Sequence, residues 1–184
     1  MATMRPALEP GVQRGLVIVN TGDGKGKTTA ALGMMTRAWG HRMRVGVVQF
    51  LKPEDTRLGE SRAAERMGID WVGTGDGWTW GSPELGHAEA LTRRGWETAQ
   101  QRIAGGDYDV LILDEFTYPL HFGWLDPDEV IAWLRENKPP RLHLVITGRY
   151  AVPGLVDFAD LVTEMRQVKH PLQEQVQAQP GVEF

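Results

Sequence analysis

The chain has 184 residues, of which 24% are charged and 41% hydrophobic, with a net charge of −4 and no cysteine. That length suits one domain with a full core, the acidic balance argues against a nucleic-acid groove, and the missing cysteines exclude disulfides and thiolate metal sites. No run of about 18 apolar residues offers a membrane span, and Met1-Ala2-Thr3-Met4-Arg5-Pro6 lacks the apolar core of a secretory signal. The expectation is a soluble, cytoplasmic enzyme with neither nucleic-acid nor membrane partners.

Residues 1–14 carry Pro6, Pro10 and Gly11 with little periodicity, predicting a short N-terminal arm and leaving 15–184 as a single domain. Leu16-Val17-Ile18-Val19 predicts a buried strand, Thr21-Gly22-Asp23-Gly24-Lys25-Gly26-Lys27-Thr28 a glycine loop, and the residues from Thr29 to Trp39 a helix with Gly40 as its C-cap. Strand, glycine loop and a helix opened by Gly-Lys-Thr form the context of a phosphate-binding P-loop. Gly22, Gly24 and Gly26 can take positive φ and close backbone N–H groups around phosphate oxygens. The helix start aims unpaired N–H groups at the same anion. Lys27 adds a mobile charge, and the Thr28 hydroxyl is placed to ligate Mg²⁺. Thr21 stands where the usual spacing has Gly, and the plainer alternative is a glycine-rich turn before a helix. A nucleoside triphosphate is the expected ligand.

Arg44 to Phe50 predicts a second strand, apolar enough to be covered on both faces. Glu60 to Met67 predicts a short helix closed by Gly68, and Ile69-Asp70-Trp71-Val72 a third strand. Four glycines in the nine residues from Gly73 to Gly81 make a loop around Trp78-Thr79-Trp80, after which Ser82 and Pro83 open a long helix. Leu85, Ala88, Leu91, Trp96, Ala99 and Ile103 lie on its inward face, and Gly105-Gly106 ends it. Val110-Leu111-Ile112-Leu113 is the clearest buried strand, with Asp114-Glu115 at its C-terminal end. Asp126 caps a further helix with Glu129 three residues on, and Asn137 to Pro140 stops it. Leu142 to Ile146 predicts the next strand, then Thr147-Gly148-Arg149, a short strand around Leu161-Val162 and a polar tail.

Strands alternating with helices predict an α/β, P-loop NTPase-like three-layer fold with a central, mostly parallel sheet. Ligands of such sheets sit at the carboxyl ends of strands. The P-loop, Gln49, the Trp78 loop, Asp114-Glu115 and Arg149 all follow strands and belong to one rim. Asp114 and Glu115 after four apolar residues fit the acidic strand that partners a P-loop, one ligating Mg²⁺ directly and the other through water; a pair capping the next turn is the alternative. Arg149 is either a bidentate phosphate donor or a surface ion-pair partner. Trp78 and Trp80, flanked by glycines, either stack on a flat ligand or plug the sheet edge. His87, His121 and His143 have no partner at metal-ligand spacing, and His170 reads as structural or solvated.

These residues resemble the P-loop type of ATP:corrinoid adenosyltransferases. The likeness runs through residues 21–31, Arg37 to His41, Val45 to Phe50, Gly77 to Trp80, Leu113 to Tyr118, Thr147 to Arg149, Val162 to His170 and Ala178 to Phe184. Trp78 stands where the family usually has Phe, Asp23 where it often has Asn, and Tyr150 where Gly is usual; the tail from Leu172 to Val176 is looser and the N-terminal arm shorter. The resemblance implies transfer of the 5′-deoxyadenosyl group of ATP to the Co(I) of a corrinoid, cobyrinic acid a,c-diamide or cobalamin, with release of triphosphate. It implies nucleotide contacts from Gly22, Asp23, Gly24, Lys25, Gly26, Lys27, Thr28, Gln49 and Arg149, with Mg²⁺ on Thr28, Asp114 and Glu115. Lys27 would stabilise the leaving triphosphate, while Trp78 and Trp80 would exclude an axial water from cobalt and ease Co(II) reduction. It further implies an external low-potential reductant, such as a reduced flavoprotein, and a homodimer. A small P-loop kinase and a nucleotide-binding regulatory protein, whose Trp loop docks a partner, are the other readings.

Overall fold

The computed structural model describes residues 13–53, 58–75 and 85–183. Its centre is a six-stranded sheet in the order β3-β2-β4-β5-β1-β6, with every neighbouring pair parallel. The strands are β1 (Val17–Thr21), β2 (Val45–Gln49), β3 (Asp70–Gly73), β4 (Val110–Asp114), β5 (His143–Thr147) and β6 (Leu161–Glu164). They connect through α1 (Lys27–Gly40), α2 (Gly59–Met67), α3 (Leu85–Gly105), α4 (Thr117–His121), α5 (Pro127–Asn137) and α6 (Pro153–Phe158), and a 3-10 turn over Pro171–Glu174 follows β6.

Alternation along the strands divides the core in two, because successive side chains face opposite sides of a sheet. Ile18, Val45, Val47, Ile112 and Val145 meet Ala31, Met35 and Ala38 of α1 and Ala64 of α2. Val19, Val48, Leu111, Leu113, Leu144 and Ile146 meet Trp96, Ala99 and Ile103 of α3, Val130, Ile131 and Leu134 of α5, and Leu155 of α6. Three layers result, and burial on both faces explains why β2 and β4 are continuous apolar runs.

The expected strands are all present, and the sheet is parallel in every described pairing. Gly40 is not a C-cap: it is the last residue of α1, and the chain leaves through His41, with Arg42 taking the positive φ of 59°. Gly68, at φ 68°, closes α2 as expected. The inward stripe of α3 holds at Ala88, Trp96, Ala99 and Ile103, and Thr92 joins it as a buried polar residue. Ser82 and Pro83, along with Trp78 and Trp80, lie outside the described residues, as do residues 1–12 of the arm. Two short helices, α4 and α6, were not anticipated. Five or six residues give too little periodicity to register.

Asp126 accepts from the N–H groups of Asp128 (2.8 Å) and Glu129 (3.3 Å) ahead of Pro127 at the first helical turn. Replacing Asp126 by Ala is expected to lower stability by about 1 kcal/mol, read from denaturant unfolding, with no change in ligand affinity.

Candidate active site

Strand register brings the polar ends of four strands side by side. Gln49 of β2 pairs with Asp114 of β4, and Asn20 of β1 pairs with Thr147 of β5. Asp114 is 1% exposed, yet its carboxylate is fully engaged. Oδ1 accepts from Thr28 Oγ1 (2.8 Å) and Thr147 Oγ1 (2.6 Å), and Oδ2 accepts from Gln49 Nε2 (2.8 Å). One buried carboxylate therefore joins the first turn of α1 to β2, β4 and β5.

The loop between β1 and α1 follows the expected path with one difference. Gly22 and Gly26 take φ of 94° and 107°, but Gly24 does not have a positive φ. Its N–H donates to the Met165 carbonyl (2.7 Å), while Met165 N–H donates to the Thr21 carbonyl (2.8 Å). A Cβ on Gly24 would lie 2.8 Å from the Met165 and Arg166 backbone, so glycine is required there by close approach of the chain after β6. Thr21 replaces the usual glycine without disrupting the turn, and its Oγ1 accepts from Ala151 N–H (3.2 Å). Gly26 is the N-cap of α1 and provides no side-chain cap, nor is there an acidic residue in the first turn. The helix thus opens with N–H groups and a positive dipole end free of side-chain competition.

Lys27 is buried, and its Nζ donates to the carbonyls of Gly22 and Gly24, both at 2.7 Å. Burial and the nearby Arg149 charge push its pKa down. Glu115 follows Asp114 in the left-handed region, at φ 61°, a conformation costing a non-glycine residue roughly 1–3 kcal/mol. Its N–H donates to Thr147 Oγ1 (3.0 Å), and its buried Oε2 finds no hydrogen-bond partner among the described residues. Burial, then repulsion from Asp114, raises the Glu115 pKa to about 7 against the pull of Lys52, Lys27 and Arg149.

A cavity of about 700 Å³ opens over this rim, lined by Gly24, Lys25, Gly26, Lys27, Thr28, Glu115 and Arg149 among others. Of the other expected site residues, Gly22 and Asp23 belong to the loop without lining the cavity. Gln49 and Asp114 stand behind its wall. Gln49 spends its amide on Asp114. No ion pair holds Arg149 among the described residues, which favours its ligand-facing reading over the surface pair. Thr147, Lys52, Tyr118 and Gly181 to Glu183 were not singled out as site residues. Burial raises the Tyr118 pKa to about 12. Thr147 was legible as part of Thr147-Gly148-Arg149, but a hydroxyl bracing a carboxylate carries no spacing signal.

Three of the five histidines make structural contacts. His170 Nδ1 accepts from Leu172 N–H (3.1 Å) to cap the 3-10 turn, His143 Nδ1 accepts from Leu16 N–H (3.2 Å), and His121 stacks on Tyr150 at 4.6 Å. No group of three or more His, Asp or Glu side chains disposed to hold a metal occurs among the described residues.

A family model described as ATP:corrinoid adenosyltransferase BtuR/CobO/CobP matches residues 13–184. The chain belongs to this family. A corrinoid adenosyltransferase of Sinorhizobium sp is 40% identical over 175 residues, covering 94% of this chain and 81% of the relative. That of Pseudomonas aeruginosa is 40% identical over 174 residues, covering 94% and 85%. That of Escherichia coli K12 is 39% identical over 172 residues, covering 94% and 87%. Tyr150, next to Arg149, has an unusual backbone for a tyrosine. It takes φ 59°, a region glycine enters freely, and packs edge-on to Tyr118 at 6.1 Å.

The Glu115 shift makes stability depend on pH. Between the ordinary glutamate value of 4.5 and about 7, the unfolded chain has released a proton that the native chain retains. Native stability therefore falls as pH rises through that window. Thermal unfolding of the metal-free protein is expected to show this decline, and Glu115→Gln is expected to flatten it.

Proposed function

We propose that the chain transfers the 5′-deoxyadenosyl group of ATP to the Co(I) of a corrinoid substrate and releases triphosphate. The observation that carries the reading is the convergence of Lys27, Thr28, Glu115 and Arg149 on one cavity in a chain of this family. Co(I) supplies the electron pair that attacks C5′, the C5′–O bond breaks, and the oxygen leaves with triphosphate. The nucleophile belongs to the substrate, so no protein nucleophile or general base is needed. What remains for the protein is to hold ATP in line and to stabilise the leaving polyanion. Family membership favours this over phosphoryl transfer or a purely regulatory role.

Lys27 exchanges its two loop carbonyls for phosphate oxygens, and Arg149, which lines the same cavity, adds a bidentate donor. Lys25 and the N–H groups at the start of α1 complete the cradle, with Gly22, Asp23 and Gly24 shaping the loop. Gln49 acts through Asp114. The donor set fits Mg²⁺: a buried carboxylate oxygen without a partner, and a hydroxyl whose proton is directed to Asp114 so that its lone pairs remain available. Thr28 and Glu115 would hold the ion directly, with Asp114 orienting Thr28. Bound there, it neutralises charge developing on triphosphate.

Trp78 and Trp80, which lie outside the described residues, are assigned the role of excluding an axial water from the corrinoid. An external low-potential donor, such as a reduced flavoprotein, supplies the electron, since the chain has no cysteine for an iron–sulfur centre of its own. The exposed apolar residues Leu161 and Val162 on β6 support association as a homodimer, and dependence on ATP and a low-potential donor fits the cytoplasm.

Incubation with ATP, Mg²⁺ and chemically reduced corrinoid is expected to yield a light-sensitive Co–C product and one triphosphate per turnover. ADP with a phosphorylated acceptor would overturn the reading. Lys27→Ala is expected to abolish turnover with the fold intact by circular dichroism. Glu115→Ala raises the Mg²⁺ requirement sharply and Asp114→Asn less so, measured by titrating initial rates. Trp78→Ala and Trp80→Ala are expected to lose more rate from Co(II) plus a biological reductant than from preformed Co(I), while equal losses would mark the loop as structural.

A further inference from the structure

The chain after β6 has no task in the chemistry above, although its end returns to the site. Gly181, Val182 and Glu183 line the same cavity as Lys27, Thr28 and Glu115. Lys25 Nζ donates to Glu183 Oε2 across the mouth of the loop. The Lys25 side chain is 59% exposed and that of Glu183 only 16%, so the carboxylate is turned into the fold and the cation reaches over to meet it. The return path is a folded one. Met165 is bonded to both Thr21 and Gly24, His170 and Gln173 cap the 3-10 turn, and the N–H groups of Val182 (3.2 Å) and Glu183 (2.9 Å) both donate to the Gln179 carbonyl.

Lys25 offsets the charge that the Glu183 carboxylate would present to a phosphate, so what the pair contributes is position: it fastens residues 181–183 to the glycine loop that carries Lys25. Resting on the reading of the cavity as the ATP site, we infer that residues 181–183 form one wall of that site and that Glu183 is a positioning residue, holding the wall closed through Lys25. Glu183 acts on capture of nucleotide, not on the transfer step.

The test compares ATP binding by direct titration in the presence of Mg²⁺, together with kcat and KM for ATP, in the full chain and its variants. Glu183→Ala and removal of residues 181–184 are expected to raise both the Kd and the KM for ATP about three- to tenfold. Values of kcat stay within about twofold, and thermal unfolding stays near that of the parent. Glu183→Gln, which keeps a hydrogen bond but not the charge, falls between. The double variant Lys25→Ala/Glu183→Ala binds ATP no more weakly than Lys25→Ala alone, because the two act as one pair. Unchanged ATP affinity in Glu183→Ala and in the truncated chain, with binding lost in Lys27→Ala, overturns the inference and leaves the site reading intact. Additive losses from Lys25 and Glu183 overturn the pairing. Parent-like ATP binding in Lys27→Ala overturns the site reading, and the inference falls with it.

Discussion

The structure depends on the three hydrogen bonds that the Asp114 carboxylate accepts. A charge at 1% exposure is costly unless its lone pairs are met. Its donors come from Thr28, Gln49 and Thr147, on α1, β2 and β5. Satisfying one side chain therefore requires the register of three strands and the seating of α1 at once. A shift of any element leaves a buried charge short of a partner, so the rim is specified by the same interaction that directs the Thr28 hydroxyl proton to Asp114.

Charges that face the cavity are in the opposite condition. Lys27 is held only by carbonyls of its own loop, and Glu115 has an oxygen with no partner among the described residues. Both are shifted toward their neutral forms by burial. In the proposed reading, each charged form would be stabilised by the partner it lacks: anionic oxygen for Lys27 and a cation for Glu115. The left-handed backbone at Glu115 is a local cost borne by the fold, and the Thr147 hydroxyl that receives its N–H also donates to Asp114. Strain and unmet charge are thus concentrated on the rim of the cavity that the proposed reading gives to the nucleotide.

Much of this was legible in the residues because it rests on local rules. Continuous apolar runs marked β1, β2, β4 and β5, Asp126 marked a helix start, and Gly-Lys-Thr after a strand marked the phosphate loop. Reading was harder where the cause lies far away in sequence. Gly24 looked like a positive-φ glycine, but it is glycine because Met165 and Arg166 pass against it. Gln49 is expected from its strand end to face a ligand, and spacing gives no hint that its amide nitrogen also donates to a carboxylate 65 positions on. Tyr150 gives no hint in the sequence of its backbone, and only the structure reveals that it carries a glycine-like φ and stacks on His121. Neither spacing nor composition encodes such contacts.

The same distance effect explains why an exposed edge strand is tied so closely to the site. All four residues of β6 are exposed, and its burial contributes little to the core. Yet the chain that leaves it supplies the carbonyl for Gly24 N–H and the N–H for the Thr21 carbonyl. Those groups lie where a glycine-rich loop would otherwise have no backbone partners, and an unpaired buried amide is costly. The loop's flexibility is therefore removed by an element outside it. A P-loop that depends on β6 for its shape is sensitive to anything that displaces the segment after that strand. Because that segment also reaches Lys25 through Glu183, the loop is held at two points by one continuous stretch of chain, at its turn through Met165 and at its mouth through Glu183.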